Sequence, residues 1–217
     1  MIFSAKYTKL TIVLIFYTLL MKQYLLNNSK KKFFTINDIA NLLSISKESA
    51  KVTANRYCKS GLLIRIKRNL YISASKFKEL KESELFQIAN FIEVPSYISL
   101  STSLSYFNIS TQQLQNVIES ISLKRTKTQA VNNIEFRFYK VKQSFYSGFI
   151  NSDNFFIAQP EKAFADSVYL TSLGKYSTDF ESINFKKLNI DLVNSYMKNS
   201  NSITIKFWEK LCKRYKI

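Results

Sequence analysis

The residues best suited to chemistry crowd into "KESAKVTANRYCK" (residues 47–59) and the hairpin-like "LLIRIKRNLYIS" (62–73) behind it. On a helical wheel of about 100° per residue, Ala50, Ala54, Tyr57 and Gly61 share one side, with Cys58 at its margin, as a packing face would. Glu48, Ser49, Val52, Asn55, Arg56 and Lys59 occupy the other. That second set suits the major groove of DNA. Asn pairs bidentately with adenine, Arg with guanine, Glu accepts from cytosine, and an apolar side chain meets the thymine methyl. Asn55, Arg56, Glu48 and Val52 are therefore the candidate base readers. Ser49 and Lys59 fit phosphate contacts, while Lys47 and Lys51 flank the face and reach toward the backbone. Arg65, Lys67 and Arg68 in the hairpin would approach phosphates or the neighbouring minor groove. The competing account is an ordinary solvated helix face, which is also polar.

Catalytic chemistry has little to build on. Histidine is absent, which removes histidine acid–base catalysis, Ser-His triads and every His-containing metal site. Two cysteines, Cys58 and Cys212, cannot make a four-thiolate zinc site and imply no disulfide framework. Three glycines leave no phosphate-cradling Gly-rich loop. Glu135, Asp153, Glu161 and Asp166 show no metal-binding spacing. No catalytic residue, cofactor or metal is expected. A second basic cluster, Lys124, Arg125 and Lys127, is a solvated loop or a partner-facing surface, and Lys162 joins it as a candidate contact.

The elements that must position these residues follow from local patterning. Thr35 with an acid three residues on resembles a capping box, and Ile36, Ile39, Ala40, Leu42 and Leu43 keep helical spacing. "SIS" (44–46) breaks that helix and lets Ser46 cap the next, from Lys47 to about Ser60, with Gly61 as its left-handed stop. The alternation around Lys67-Arg68-Asn69 predicts a short β-hairpin. Helix, helix, break, helix, hairpin is the order of a winged helix-turn-helix. The expected fold class is α+β, with this domain over residues 1–75 and a charged linker over 76–84. An α+β domain follows over 85–217, its mostly antiparallel sheet flanked by helices. Strand patterns run through "NVIESISLKR", "NIEFRFYKV", "SFYSGFI" and "NFFIA", and Pro160 opens a helix up to Gly174. Lys162 and Asp166, four apart, are expected to pair on that helix's surface.

Charge is uneven: residues 1–80 carry 15 Lys+Arg against 3 Asp+Glu, residues 81–217 carry 17 against 12. A basic excess gathered at one end favours a polyanion, with double-stranded DNA ahead of a membrane surface. The apolar "LTIVLIFYTLL" (10–20) is shorter than a spanning helix and lacks a small-residue cleavage site, so it reads as a buried first helix of a cytoplasmic protein.

The head, "PSYISLSTSLSYFNI" (95–109), "FRFYKVKQSFYSGFI" and above all "FFIAQPEKAFADSVYL" (155–170) occur in that order. Together they resemble the AbiEi-type antitoxins of type IV toxin–antitoxin systems. The resemblance implies a non-enzymatic phage-defence regulator in two parts. The N-terminal part would bind inverted-repeat operator DNA in its own promoter, with a dimer on DNA among the arrangements allowed, and repress the operon. The C-terminal part would neutralise a nucleotidyltransferase-like toxin encoded alongside, functionally if not by direct contact. Family members usually carry glycine at the wing tip, where this chain has Lys67-Arg68-Asn69. The rival account is a regulator whose second domain senses a small molecule.

Overall fold

The computed structural model describes residue 21 and residues 24–217, so the apolar stretch 10–20 lies outside it. The chain divides into two compact units, Met1–Leu80 and Lys81–Ile217.

In the first unit, residues 24–28 are helical and bury Leu26. Strand β1 (Phe33–Phe34) follows. Thr35 then caps the Ile36–Leu43 helix: its hydroxyl accepts from Asp38 N at 3.2 Å, and Asp38 Oδ2 accepts from Thr35 N at 2.8 Å. Bonds from Lys31 and Thr35 hold the Asp38 carboxyl down at about 2. Ser44, at φ 51°, turns the chain out of the helix, and Ser46 accepts from Ser49 N to open the helix Lys47–Lys59. Gly61, at φ +74°, supplies the left-handed stop, but it is exposed with nothing packed on it, so it lies off the packing face the wheel gave it. Strands β2 (Leu63–Lys67) and β3 (Leu70–Ser73) close an antiparallel sheet ordered β1-β3-β2. Ile39, Ala50, Ala54 and Tyr57 meet Phe34, Leu63 and Tyr71 in one core, each large apolar side chain contributing about 1.5–3 kcal/mol when fully buried. This is the winged helix-turn-helix order.

The stretch expected as a linker is largely helical. Ser73 caps a short helix, Ala74–Lys78, and the next begins at Glu82 and runs to Ile92. Phe77 explains the first of these, because it is buried and anchors the helix.

The second unit is built on a six-stranded sheet ordered β6-β7-β5-β4-β9-β8. Its strands are β4 (Ser96–Ile98), β5 (Val117–Ser122), β6 (Lys127–Val131), β7 (Ile134–Lys140), β8 (Phe149–Ser152) and β9 (Phe155–Ala158). Three pairings are antiparallel, while β4 with β9 and β5 with β7 run parallel. The "SFYSGFI" pattern is a strand only in its second half, since Gln143–Phe145 forms a 3-10 turn. The helix Pro160–Ser172 is buried from Lys162 through Leu170 and carries the core against the closing helices, Ile190–Lys198 and Ser202–Tyr215. A helix buried on every side is a central strut rather than a surface element.

Candidate nucleic-acid interface

The helix Lys47–Lys59 turns Ala50, Thr53, Ala54 and Tyr57 inward and leaves Lys47, Glu48, Ser49, Lys51, Val52, Asn55, Arg56 and Lys59 exposed. Val52 is 68% exposed on an otherwise polar face. Cys58 is half-buried, and burial pushes its thiol up, which suits packing rather than reactivity.

The exposed set divides into two rows. Lys47, Lys51 and Asn55, one turn apart, line a groove of about 490 Å³ whose other wall is Arg65, Arg68, Asn69 and Tyr71, with Ile36 at its end. The residues expected only at the flanks of the helix are thus the ones that face the hairpin. Glu48, Val52, Arg56 and Lys59 form the neighbouring exposed row, Ser49 lies beyond it, and none of these five is part of that groove. No carboxylate lines the groove, and none pairs with Lys47, Lys51, Arg65 or Arg68 among the described residues.

The hairpin tip owes its shape to Asn69. It sits at φ 61°, which Asn tolerates far better than most residues, so it serves where a glycine would be expected. Its Oδ1 also accepts from Ile36 N at 2.9 Å, using one of the free N–H groups at the start of the Ile36–Leu43 helix. In sequence, Asn69 is only part of a polar hairpin tip, with nothing to mark this second bond. Lys67 ends β2 opposite Leu70 and is half-exposed, so the turn itself is Arg68-Asn69.

Residues 22–74 match the family described as transcriptional regulator, AbiEi antitoxin. The head is AbiEi-like. No curated protein matches the chain. The matched span ends at the hairpin, so the likeness of residues 155–170 to AbiEi antitoxins rests on those residues alone. In the AbiEi-like head, the match covers both the helix Lys47–Lys59 and the groove it shares with the hairpin.

The second cluster of candidates fares differently. Lys162 is wholly buried and cannot meet a partner. Its Nζ donates to Asp166 Oδ1 at 2.7 Å and to Phe145 O at 2.6 Å, and lies 3.7 Å from the Phe145 ring centroid. Asp166 Oδ2 accepts from Ser99 Oγ at 2.7 Å and from Tyr97 OH at 3.0 Å. The pair expected on the helix surface is therefore an internal strut tying β4, the 3-10 turn and the Pro160–Ser172 helix together. Burial pushes Lys162 down and Asp166 up, and each partner opposes the other's shift. Lys127 is largely covered and pairs with Glu93 at 2.6 Å, with Lys124 at 3.8 Å from the same carboxylate. Of that cluster, Lys124 and Arg125 stay exposed. A separate groove of about 470 Å³ in the second unit is lined by Glu82, Thr102, Ser105, Tyr106, Asn108 and Gln113 among others, with no Lys or Arg. Among the described residues, no cluster of three or more His, Cys, Asp or Glu side chains could hold a metal, and no helix is long and apolar enough to cross a membrane.

Proposed function

We propose that this chain is a cytoplasmic DNA-binding autorepressor and antitoxin. Its head grips duplex DNA through the helix Lys47–Lys59 and the hairpin, and its second unit counters a nucleotidyltransferase-like toxin. The observation that carries the first half is the groove between helix and hairpin, whose charged lining residues are all cations and which lies within the AbiEi-like span. Four unpaired cations on a concave wall attract a polyanion and raise its local concentration. Glu48, Val52, Asn55 and Arg56 read base edges, whereas Ser49, Lys59, Lys47, Lys51, Arg65, Lys67 and Arg68 hold the backbone. Phosphate contacts set register and base contacts set sequence. The second half rests on the AbiEi antitoxin likeness, with Lys124 and Arg125 as the exposed remainder of the candidate partner surface.

Two measurements test the two halves separately. The full chain should shift a duplex taken from upstream of its own gene, with affinity falling steeply as salt rises. Absence of salt-dependent duplex binding removes the repressor. Co-expression with the product of the adjacent gene should restore growth, and failure to do so removes the antitoxin.

A further inference from the structure

We propose, on the duplex-binding reading above, that the hairpin of this head does not enter the minor groove. Arg65 and Arg68 instead join Lys47 and Lys51 in gripping one run of phosphates, and base readout is confined to the major-groove side of the helix.

Three observations lead there. The hairpin is stunted: Tyr71 still pairs with Phe34 of β1, and only the Lys67–Leu70 pair lies between that rung and the Arg68-Asn69 turn. One further rung advances a strand by about 3.4 Å, against a minor groove about 7.5 Å deep. The tip is also tied down, because Asn69 Oδ1 accepts from Ile36 N at 2.9 Å and fastens the turn to the start of the Ile36–Leu43 helix. Finally, the hairpin's arginines line the same groove of about 490 Å³ as Lys47 and Lys51. Cations on facing walls with no carboxylate between them repel one another, and an anion lying in the groove relieves that repulsion. The sugar–phosphate strand bordering a major groove occupied by the helix supplies such an anion in a continuous row.

The test uses the full chain and a duplex selected from a random-sequence pool. Replacing guanine by inosine strips the minor-groove amine, while 7-deazaguanine strips a major-groove acceptor. Inosine at each site should change the dissociation constant by less than about twofold, and 7-deazaguanine should weaken binding about tenfold at one position or more. Arg68→Ala should weaken the selected and an unrelated duplex by the same factor, and lower the salt slope by about 0.9. Arg68 is exposed and unpaired, so its loss leaves the fold in place. An inosine site that weakens binding about tenfold, with the loss erased by Arg68→Ala, overturns the inference while leaving duplex binding intact. So does an unchanged salt slope in Arg68→Ala. Tight binding of inorganic phosphate without duplex affinity would give the groove to a small anion and end both this inference and the repressor.

Discussion

At the scale of single residues, the side chains that look alike in sequence do different work. Arg56 stands exposed on the helix and outside the cationic groove; Arg56→Ala should relax preference at one base pair at a cost of about 1–3 kcal/mol, visible as a flattened selection profile. Lys162 stands in the opposite situation. Lys162→Met leaves Asp166 buried without its cation and should destabilise the second unit by about 3–5 kcal/mol. Trp208, the only tryptophan and itself buried, reports that loss in urea. Glu119 offers a pH signature. Burial raises its carboxyl from 4.5 to about 6, against bonds from Tyr176 OH and Ser101 N that pull it back. The native state thus holds a proton that the unfolded chain releases between those values. Its contribution is greatest below pH 4.5 and is lost as pH rises through 6, by about 2 kcal/mol. Glu119→Gln should remove that fall, so the stability difference between variant and parent should grow across the window.

At the scale of elements, the head was legible because its signals are local. Thr35 with Asp38, Ser46 before Lys47, Gly61 after the helix and the alternation into the hairpin each act within a few residues. The packing face Ala50, Ala54 and Tyr57 followed from period alone. What escaped depends on distant partners. Lys162 and Asp166 have the spacing of a surface pair, and only the arrival of Phe145, Tyr97 and Ser99 buries them. A faint signal was present, since Ala, Phe, Val, Tyr and Leu surround that pair on all sides of its helix. Lys127 looked like open charge because Glu93 lies far away in sequence. The two grooves lay beyond reach because they are made between elements. Gly148 and Gly61 show the same contrast. Both have positive φ, but a Cβ at Gly61 meets nothing, whereas at Gly148 it falls 2.5 Å from Tyr196 Oη and 2.9 Å from Lys162 Cγ. Gly61→Ala should cost about 1–2 kcal/mol and Gly148→Ala about 1–3 kcal/mol more, measured by chemical denaturation.

At the scale of the whole molecule, each unit holds its own buried cluster, one around Phe34 and Tyr57, the other around Phe164 and Trp208. Residues 81–217 alone are expected to unfold cooperatively with Trp208 shielded, as its emission in urea would register, while residues 1–80 keep duplex affinity. The parallel seam of the larger sheet adds a matter of timing. Ile98 waits for Ile157 before β4 gains its second neighbour, whereas the described strands of the head have all been synthesised once Ser73 is made. Long-range pairing is slow and domains form in the order of synthesis. Each newly made chain therefore passes through a stage in which the head can close while the larger sheet still lacks its seam.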